Sequence, residues 1–440
     1  MKVPFSRLLV DVSYTRTQRG SIGVTRVVRS LLKEFEETTS QTELPCLAVA
    51  IHGRGFREIP LSAVAASEVN SSNVAASPAA SMLRGITGGR GRQLALASLP
   101  LSLLYGVWRL YSRWIFKALS RQAPPVIFEE GDVLFMGDAS WHYEAWHAAQ
   151  RAREQGARVV LMVHDLIPLR HPEYGASLIS MVFKEWLTRM LLCSDAVVCN
   201  SEATERDLKS YAASSGISLP PVGHFRLGCD PTNPANAETV RPALASFLQK
   251  PGASFVAVGS FEPRKNYAWV LQVFERLWEN GQEFRLLIAG RPTAEGRALI
   301  EKLKLHSEQG RKLLTVFDAT DGELEHMYHH AWALLFPSLA EGFGLPLVEA
   351  RTRGCLVIAS DLPVFRELAD EGVSLYPKYS AEGIEALVMA CAKADRRALV
   401  APMPAFTWRA SAAQCLQVTA ELLMNQFPQK KILRASLSES

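Results

Sequence analysis

Short apolar runs alternate with amphipathic stretches along most of the chain, and this alternation narrows the possible folds more than any other feature. The first apolar run, Leu8–Ser13, leads through a loop with glycines at both ends, 20–23, into a helical pattern whose apolar residues recur every three or four positions. Further predicted strands are Leu44–Ile51, Val133–Met136, Val159–Val163 and Ala196–Cys199. Strands that alternate with helices indicate a parallel sheet covered by helices.

A second series of the same kind begins after a stretch rich in Pro and Asn at 231–236. Its predicted strands are Phe255–Gly259, Arg285–Ala289, Leu314–Phe317, Ala333–Phe336 and Leu356–Ser360. The two series predict an α/β architecture of two doubly wound, Rossmann-like domains that face each other across a cleft. A chain of 440 residues, 48% of them hydrophobic, is long enough for two cores.

These patterns set the expected domain boundaries. We predict a first domain over 1–227, a linker over 228–250 and a second domain over 251–400. A C-terminal helix and tail, 401–440, are expected to pack back toward the first domain. Ligands of doubly wound sheets bind at the C-terminal ends of the strands, so the loops after the strands are where chemistry is expected.

Composition narrows the classes of function. Charged residues make up 21% of the chain and the formal net charge is +4, which argues against disorder and against nucleic acid as a partner. The seven cysteines include no C-x-x-C pair, so they predict a reduced, cytoplasmic protein. The N-terminus reaches Asp11 before any apolar run is long enough for a signal peptide, so export is not expected.

One insertion, about 69–122, departs from the alternating pattern. It contains no acidic residue, and its basic residues Arg109, Arg113, Lys117 and Arg121 recur every fourth position beside apolar and aromatic ones. This pattern over 84–121 is typical of an amphipathic helix that lies on an anionic membrane surface. Its uncharged part, 94–108, is shorter than the roughly 20 residues that a membrane-spanning helix needs. Alternatively, the insertion packs on its own domain and its basic residues are solvated.

The loop that follows the predicted strand Ala333–Phe336 carries two carboxylates and two glycines. Pro346 suits the first turn of a helix, so the N–H groups of Phe343, Gly344 and Leu345 would form an anion site at the helix N-terminus. Glu349 lies one turn inside that helix, where it could accept hydrogen bonds from ribose hydroxyls, and Glu341 lies on the loop edge. As caps or surface charges, the same carboxylates would have no such role.

Two further stretches place charged residues after strands. Arg264 and Lys265 follow a strand that ends at Gly259 and Ser260, and there they could neutralise a diphosphate leaving group. His164 and Asp165 end a strand of the first domain. Adjacent basic residues are more often only solvated, and a His–Asp dipeptide has many structural explanations. Each assignment is weak by itself, and the three stretches indicate a function only when they are taken together.

Together these stretches resemble the retaining glycosyltransferases of family four, which have the GT-B fold. The resemblance runs from Gly20 to about Trp408, apart from the insertion, and its most specific part is Glu341 and Glu349 with seven residues between them. The runs EPRKN at 262–266, LIAG at 287–290, NSEAT at 200–204 and HDLIP at 164–168 are also similar. Many relatives have Arg where this chain has Ser260, so here either the charge comes from Arg264 or donor binding is weaker than the motif implies.

The resemblance assigns a role to each of these positions. It implies that Glu349 binds the donor ribose, that Glu341 and the amides of residues 343–345 surround the donor sugar, and that Arg264 and Lys265 hold the diphosphate. His164 would contact the donor sugar. The loop that ends at Gly23 would approach the phosphate or the acceptor. The expected catalytic residues are His164, Asp165, Glu341, Arg264 and Lys265; the expected donor-binding residues are Gly23, Gly259, Ser260, Arg264, Lys265, Phe343, Gly344, Leu345 and Glu349.

The expected reaction is a metal-independent hexosyl transfer without a cofactor, since the nucleotide sugar is itself a substrate. The run HDLIP and the run EPRKN look most like those of bacterial mannosyl- and rhamnosyltransferases, which favours GDP-mannose or a similar donor. The expected acceptor is a saccharide, a polyprenyl-diphosphate-linked one if the insertion binds membrane. The protein would then work in cell-surface polysaccharide synthesis, at the cytoplasmic face of the plasma membrane.

Several other classes fit the sequence less well. No G-x-G-x-x-G follows a strand and opens a helix, as a nicotinamide-dependent dehydrogenase would require. There is no Asp-x-Asp pair for the metal of a single-domain glycosyltransferase and no P-loop for phosphoryl transfer. The remaining alternative is a catalytically silent GT-B subunit that serves as a membrane-docked partner, and the presence of Glu341, Lys265 and His164 argues against it.

Overall fold

The computed structural model describes residues 4–18, 23–40, 44–65, 124–142, 145–175, 177–230, 240–393 and 401–425. Four predicted features lie outside the described residues: most of the glycine loop (20–22), the basic insertion (69–122, with 84–121), the Pro/Asn-rich stretch (231–236) and the tail after residue 425.

The first domain is built on a seven-stranded sheet with the order β3-β2-β1-β4-β5-β6-β7. Its strands are β1 (Arg7–Asp11), β2 (Cys46–His52), β3 (Gly55–Glu58), β4 (Asp132–Met136), β5 (Arg158–Val163), β6 (Ala196–Cys199) and β7 (Val222–His224). All neighbours pair in parallel except β2 and β3. The five predicted strands of this series are confirmed, and the prediction missed only the short edge strands β3 and β7.

Helices cover both faces of this sheet. They are α1 (Val24–Ser40), α2 (Leu61–Ala65), α3 (Ala145–Glu154), α4 (Ile167–Arg170), α5 (Ser177–Cys193) and α6 (Glu202–Ser215). The predicted apolar stripe of α1 is buried, with Leu31 and Phe35 no more than 1% exposed. Ser201 begins α6 as its N-cap, because its side chain accepts the Thr204 N–H, and Gly216 ends the helix with a positive φ of 66°.

The second domain has a six-stranded parallel sheet with the order β10-β9-β8-β11-β12-β13. The strands are β8 (Ser254–Val258), β9 (Arg285–Gly290), β10 (Leu313–Phe317), β11 (Ala333–Phe336), β12 (Leu356–Ser360) and β13 (Val373–Tyr376). The helices are α7 (Pro242–Gln249), α8 (Tyr267–Glu279), α9 (Arg297–Lys304), α10 (Asp321–His330), α11 (Leu345–Thr352), α12 (Pro363–Leu368) and α13 (Ala381–Lys393). All five strands predicted here are confirmed. The edge strand β13 escaped prediction because Ser374 interrupts its apolar pattern.

The last helix, α14 (Trp408–Asn425), contacts α1, β6 and β7 of the first domain. Buried Arg351 of α11 fixes the chain just before this return. It donates to the carbonyl of Ala401 over 2.8 Å and pairs with Asp370 over 2.8 Å, while its own carbonyl accepts the Met403 N–H. The chain is therefore fixed on the second domain at residues 401 and 403, shortly before α14 packs on the first.

Within the described ranges, none of the helices is long and apolar enough to cross a membrane. The seven cysteines are free thiols, and all except Cys46 are buried.

Candidate functional site

The C-terminal ends of both sheets open onto one cleft of about 1410 Å³ between the two domains. The first domain contributes His164 and Asp165 from the end of β5, and the second contributes Arg264 and Lys265 after β8 together with the 341–346 loop after β11. The structure thus brings residues from distant parts of the sequence into one site, at the edge where ligands of doubly wound sheets bind.

Glu341 lies at the centre of a buried charge cluster. Its Oε2 lies 2.9 Å from Nη1 of Arg264, and its Oε1 is paired with Nζ of Lys265 and accepts the Ser338 hydroxyl over 2.7 Å. Glu262 holds the other side of Arg264 over 2.7 Å. Burial alone would raise the pKa of Glu341, but Lys265 and Arg264 outweigh it and lower that pKa to about 2.

This cluster fixes two cations at the cleft wall. The Glu341 carboxylate stays ionised at all physiological pH values, so it cannot act as an acid and is too strongly paired to be an effective base. What it does is hold Arg264 and Lys265 in place. Two cations held in advance, with the side chain of Lys265 only 7% exposed, suit a ligand with concentrated negative charge.

The 341–346 loop begins α11 with the geometry that an anion site needs. Gly344 has φ of 114° and lies before the first helical residue, and a Cβ there would come within 2.9 Å of Phe365. In the described part of the chain no acceptor takes the N–H of Phe343 or Gly344. The N–H of Leu345 opens the helix and has no intrahelical partner. Three amides therefore remain available at the N-terminus of α11.

Glu349 lies one turn into α11 and is held from both domains. Its Oε2 accepts the Tyr328 hydroxyl over 3.0 Å, and its Oε1 pairs with Nη1 of Arg26 over 2.6 Å. The sequence analysis selected Glu349 but neither of these partners. Arg26 occupies the first turn of α1, directly after the glycine loop, and that position was the available signal.

His164 is held in its neutral form. Its Nε2 donates to the carbonyl of Gly137 over 2.8 Å, so Nδ1 remains an acceptor. Burial lowers the pKa of His164 to about 4, against the smaller opposing effect of that hydrogen bond. Asp165 uses Oδ1 to accept the Ile167 N–H over 2.9 Å, and burial raises its pKa although Arg264 opposes the change. One oxygen of the Asp165 carboxylate is therefore used to stabilise the turn into α4.

The shifted pKa of His164 predicts a pH dependence. In the unfolded chain a histidine takes up a proton near pH 6.5, whereas folded His164 does so only near pH 4. Its contribution to stability is thus present above pH 6.5 and is lost as the pH falls to about 4. The His164→Gln variant keeps a donor for Gly137 and cannot titrate. We expect its melting temperature to rise relative to wild type as the pH is lowered from 7 to 5.

The melting temperatures of wild type and His164→Gln must be compared at each pH, because protonation of Asp11 changes the stability of both proteins in the opposite direction. Burial and the neighbouring Asp138 raise the pKa of Asp11 to about 7, so its contribution is lost as the pH rises through that value. Asp11 is present in both proteins and cancels in the difference. A difference in melting temperature that stays constant from pH 7 to 5 would show that His164 does not resist protonation.

Gly259, Ser260 and Gly23, which the resemblance assigned to donor binding, line the cleft. Gly259 has φ of 148°, and a Cβ there would come within 2.9 Å of the Tyr267 hydroxyl. The Ser260 hydroxyl donates to Glu262 over 2.5 Å, so it supports the carboxylate that holds Arg264. Gly23, with φ of 54°, lies just before α1 and lines the cleft.

The domains also touch at Gly342, a contact that the sequence analysis did not predict. The Gly342 carbonyl accepts the hydroxyls of Ser201 over 2.7 Å and Thr204 over 3.1 Å, both at the start of α6. A Cβ at Gly342 would lie 2.1 Å from the carbonyl oxygen of His164. The 341–346 loop of the second domain thus packs directly against the first domain.

Asp138, after β4, is a second residue that the sequence analysis missed. It is buried and accepts the N–H groups of Tyr14 and Thr15 over 2.7 and 2.8 Å. These bonds fix the turn that precedes the glycine loop. Its position directly after an apolar strand was the signal that could have identified it.

Among the residues that the structure describes, no group of three or more His, Cys, Asp or Glu side chains is placed to hold a metal ion.

Comparisons with known proteins divide the chain as the fold does. A model of the glycosyl transferases group 1 matches residues 245–397, and a model of glycosyltransferase family 4 matches residues 89–217. The sucrose-phosphate synthase of Thermosynechococcus elongatus superimposes with a TM-score of 0.61 at 16% identity, over 96% of this chain and 100% of that one.

Three curated relatives are mannosyltransferases by name. The chain is 35% identical over 261 residues to the serotype-specific mannosyltransferase WbdA of Escherichia coli, a match over 56% of the chain and 31% of WbdA. It is 26% identical over 268 residues to the O-antigen chain mannosyltransferase RfbU of Salmonella typhimurium (60% and 65% covered). It is 27% identical over 184 residues to the GDP-mannose:cellobiosyl-diphosphopolyprenol alpha-mannosyltransferase of Xanthomonas campestris (40% and 48% covered).

The chain therefore spans only 31% of WbdA and 65% of RfbU, so these relatives contain sequence beyond what they share with it. The two family models fall on different domains, and the superposition covers nearly the whole chain. The first domain thus matches a glycosyltransferase family 4 model in part, the second matches a glycosyl transferases group 1 model, and the two domains together have the GT-B fold.

Proposed function

We propose that this protein is a retaining, metal-independent glycosyltransferase that transfers mannose from GDP-mannose, or a similar sugar from a similar donor, to a saccharide acceptor. The observation that carries the proposal is the arrangement of the cleft. Two buried cations, a helix N-terminus with available amides and the carboxylate of Glu349 lie along one wall. That combination suits the diphosphate and the ribose of a nucleotide sugar.

In the proposed reaction the acceptor hydroxyl attacks the anomeric carbon on the face from which the diphosphate leaves. The new bond joins the acceptor oxygen to that carbon, the bond from the carbon to the phosphate oxygen breaks, and the hydroxyl proton passes to a phosphate oxygen. Arg264, Lys265 and the amides of the 341–346 loop stabilise the charge that develops on the leaving diphosphate. The alternative, a covalent intermediate on Asp165, is not favoured, because one oxygen of that carboxylate is used in the turn into α4 and burial raises its pKa.

His164 and Glu341 would contact the donor sugar in different ways. The neutral ring of His164 offers Nδ1 as an acceptor for a sugar hydroxyl. Glu341 acts mainly by holding the two cations, and only lone pairs that Lys265, Arg264 and Ser338 leave unused are available to the sugar. The mannosyltransferases among the relatives support mannose, and the name of the GDP-mannose-dependent alpha-mannosyltransferase supports GDP and retention.

We further propose that the acceptor is lipid-linked and that the protein works in O-antigen or related cell-surface polysaccharide synthesis, at the cytoplasmic face of the membrane. The names of the relatives support this, since one is named for cellobiosyl-diphosphopolyprenol, one for the O-antigen chain and one as serotype-specific. The basic insertion 84–121 would bring the enzyme to anionic lipid, where such an acceptor resides.

The membrane proposal predicts a result in vesicle flotation. The full chain should float with vesicles that contain anionic lipid, and a variant without residues 84–121 should stay at the bottom of the gradient yet bind nucleotide normally. Neutral vesicles are the control, because the attraction is electrostatic. If the deletion variant still floats with anionic vesicles, the insertion is not the membrane-binding segment.

Thermal unfolding with nucleotides tests the donor site directly. The wild type and Glu349→Ala are melted with GDP, UDP, ADP and dTDP. A ligand at 100 times its dissociation constant adds roughly 2.7 kcal/mol, which is several degrees for a domain of this size. We expect GDP to stabilise the wild type most and the variant much less. If no nucleotide stabilises the wild type, the hypothesis of a catalytically silent partner subunit replaces this proposal.

A further inference from the structure

We propose that Arg26 of the first domain is a positioning residue of the nucleotide site in the second domain. It fixes the Glu349 carboxylate in the orientation that receives the ribose, so the ribose site is complete only when the two domains are closed. This inference rests on the proposed function, because it assumes that Glu349 binds the ribose.

The location of Arg26 is the first argument. A cation in the first turn of a helix is disfavoured by the helix dipole, so α1 gains no stability from an arginine there. Its guanidinium instead crosses the cleft to Glu349 over 2.6 Å and lies 3.7 Å from Asp321. Both carboxylates belong to the second domain. Arg26 therefore serves a contact between domains and not its own helix.

The geometry around Glu349 is the second argument. Tyr328 holds one carboxylate oxygen and Arg26 holds the other, which fixes the plane of the group. An ionised carboxylate has about four lone-pair positions, so two remain for ribose hydroxyls while both partners stay bound. Arg26 therefore need not leave when the nucleotide arrives. It also offsets the cost of a carboxylate whose side chain is only 7% exposed.

Chain connectivity is the third argument. Arg26 lies three residues after Gly23, which lines the cleft from the first domain. A nucleotide that binds Glu349 in its held orientation thereby selects the closed arrangement, in which Gly23 also lies at the cleft. Binding of the ribose and closure of the cleft become one event.

The test compares affinities for GDP and for 2′,3′-dideoxy-GDP, measured by calorimetry on the full chain. The wild type should prefer GDP, because Glu349 accepts from the ribose hydroxyls. In Arg26→Met we expect GDP binding to weaken by roughly 10- to 100-fold, the range for losing a hydrogen bond to a charged group, and the preference for GDP over its dideoxy analogue to shrink. Arg26→Lys should recover part of both.

Arg206→Ala is the matched control. Arg206 of α6 pairs with Glu367 of α12 over 3.0 Å, so it also joins the domains, but it lies outside the cleft lining. This variant should bind both nucleotides as the wild type does. The double variant Arg26→Met/Glu349→Ala should bind GDP no more weakly than Glu349→Ala alone, since Arg26 acts through Glu349.

The two proposals fail in different ways. If the wild type prefers GDP but Arg26→Met keeps both the affinity and the preference, Arg26 does not position Glu349 and the present inference is overturned. If the wild type shows no preference, or Glu349→Ala binds GDP unchanged, the ribose role of Glu349 is wrong and the proposed function loses its donor site. Should UDP be the nucleotide that stabilises the chain in thermal unfolding, UDP and its dideoxy analogue are the probe pair.

Discussion

Lys265→Ala is expected to reduce the rate of sugar transfer by roughly 10²- to 10³-fold, the usual loss when one preorganised charge donor is removed from a transition state. The reason lies in where Lys265 is held. Its ammonium is buried, paired with Glu341 and placed 5.1 Å from the centre of the Phe336 ring. When Lys265 is removed, neither water nor a neighbouring side chain can supply the lost positive charge at this position. Because the negative charge on the diphosphate grows as the bond to the sugar breaks, the loss should appear mainly in kcat.

The measurement is the release of GDP from GDP-mannose, or from the donor that thermal unfolding identifies. Lys302→Ala is the control, since that lysine is half-exposed in the same domain and pairs with Glu275 away from the donor wall. Removal of Lys265 also leaves Glu341 with Arg264 as its remaining cation, so the Lys265→Ala/Glu341→Gln double variant separates loss of charge from misplacement of the carboxylate. Wild-type turnover in Lys265→Ala would end the assignment of this residue to the leaving group.

The fold was predictable from sequence because doubly wound sheets place nearly continuous apolar strands between helices. Strands such as Val159–Val163 and Ala333–Phe336 are buried on both faces, so their pattern is strong and local. The missed strands β3, β7 and β13 lie at or near sheet edges, where one face is exposed and the apolar signal is broken. Local pattern therefore succeeded where burial is complete and failed at three of the four sheet edges, β10 being the edge strand that was predicted.

The site was predictable only where one short stretch carries the chemistry. Glu341, Glu349, Arg264 and Lys265 were selected because each lies in a recognisable motif, and the structure places all of them at the cleft. Arg26, Tyr328 and Asp138 were missed because their significance comes from partners that are far away in sequence: Arg26 and Glu349 are 323 positions apart. Position in the sequence could have marked Arg26, which follows the glycine loop, and Asp138, which follows a strand, but their partners are visible only in the packed structure.

Gly342→Ala should lower transfer by about 10²-fold, the loss that a displacement of reacting groups by roughly 1 Å can produce. A Cβ at position 342 would lie 2.1 Å from the His164 carbonyl oxygen and 2.8 Å from Cβ of Asp165, both in the other domain. These are backbone and near-backbone atoms that cannot swing away. Ordinary contact begins near 3.4 Å, so the loop and the first domain must separate by roughly 1 Å.

That separation affects the chemistry more than the fold. Each domain keeps its own core, whereas the bonds from Ser201 and Thr204 to the Gly342 carbonyl lengthen and His164 moves away from the donor sugar. Gly175→Ala is the matched control, because nothing lies within 4 Å of a Cβ there and its φ of −139° suits any residue. Turnover, thermal unfolding and small-angle scattering are compared for the two variants.

The two glycine variants decide whether the closed arrangement is needed for catalysis. One outcome is that Gly342→Ala loses turnover and expands in scattering while its unfolding temperature stays near that of Gly175→Ala. That result would mean that the contact of the 341–346 loop with the end of β5 and with α6 aligns the donor with the first domain. If Gly342→Ala is as active as the wild type, the reacting groups tolerate a more open cleft. The placement of His164 beside the donor sugar would then have to be abandoned, whereas the roles of Arg264 and Lys265, which belong to the same domain as Glu341, would stand.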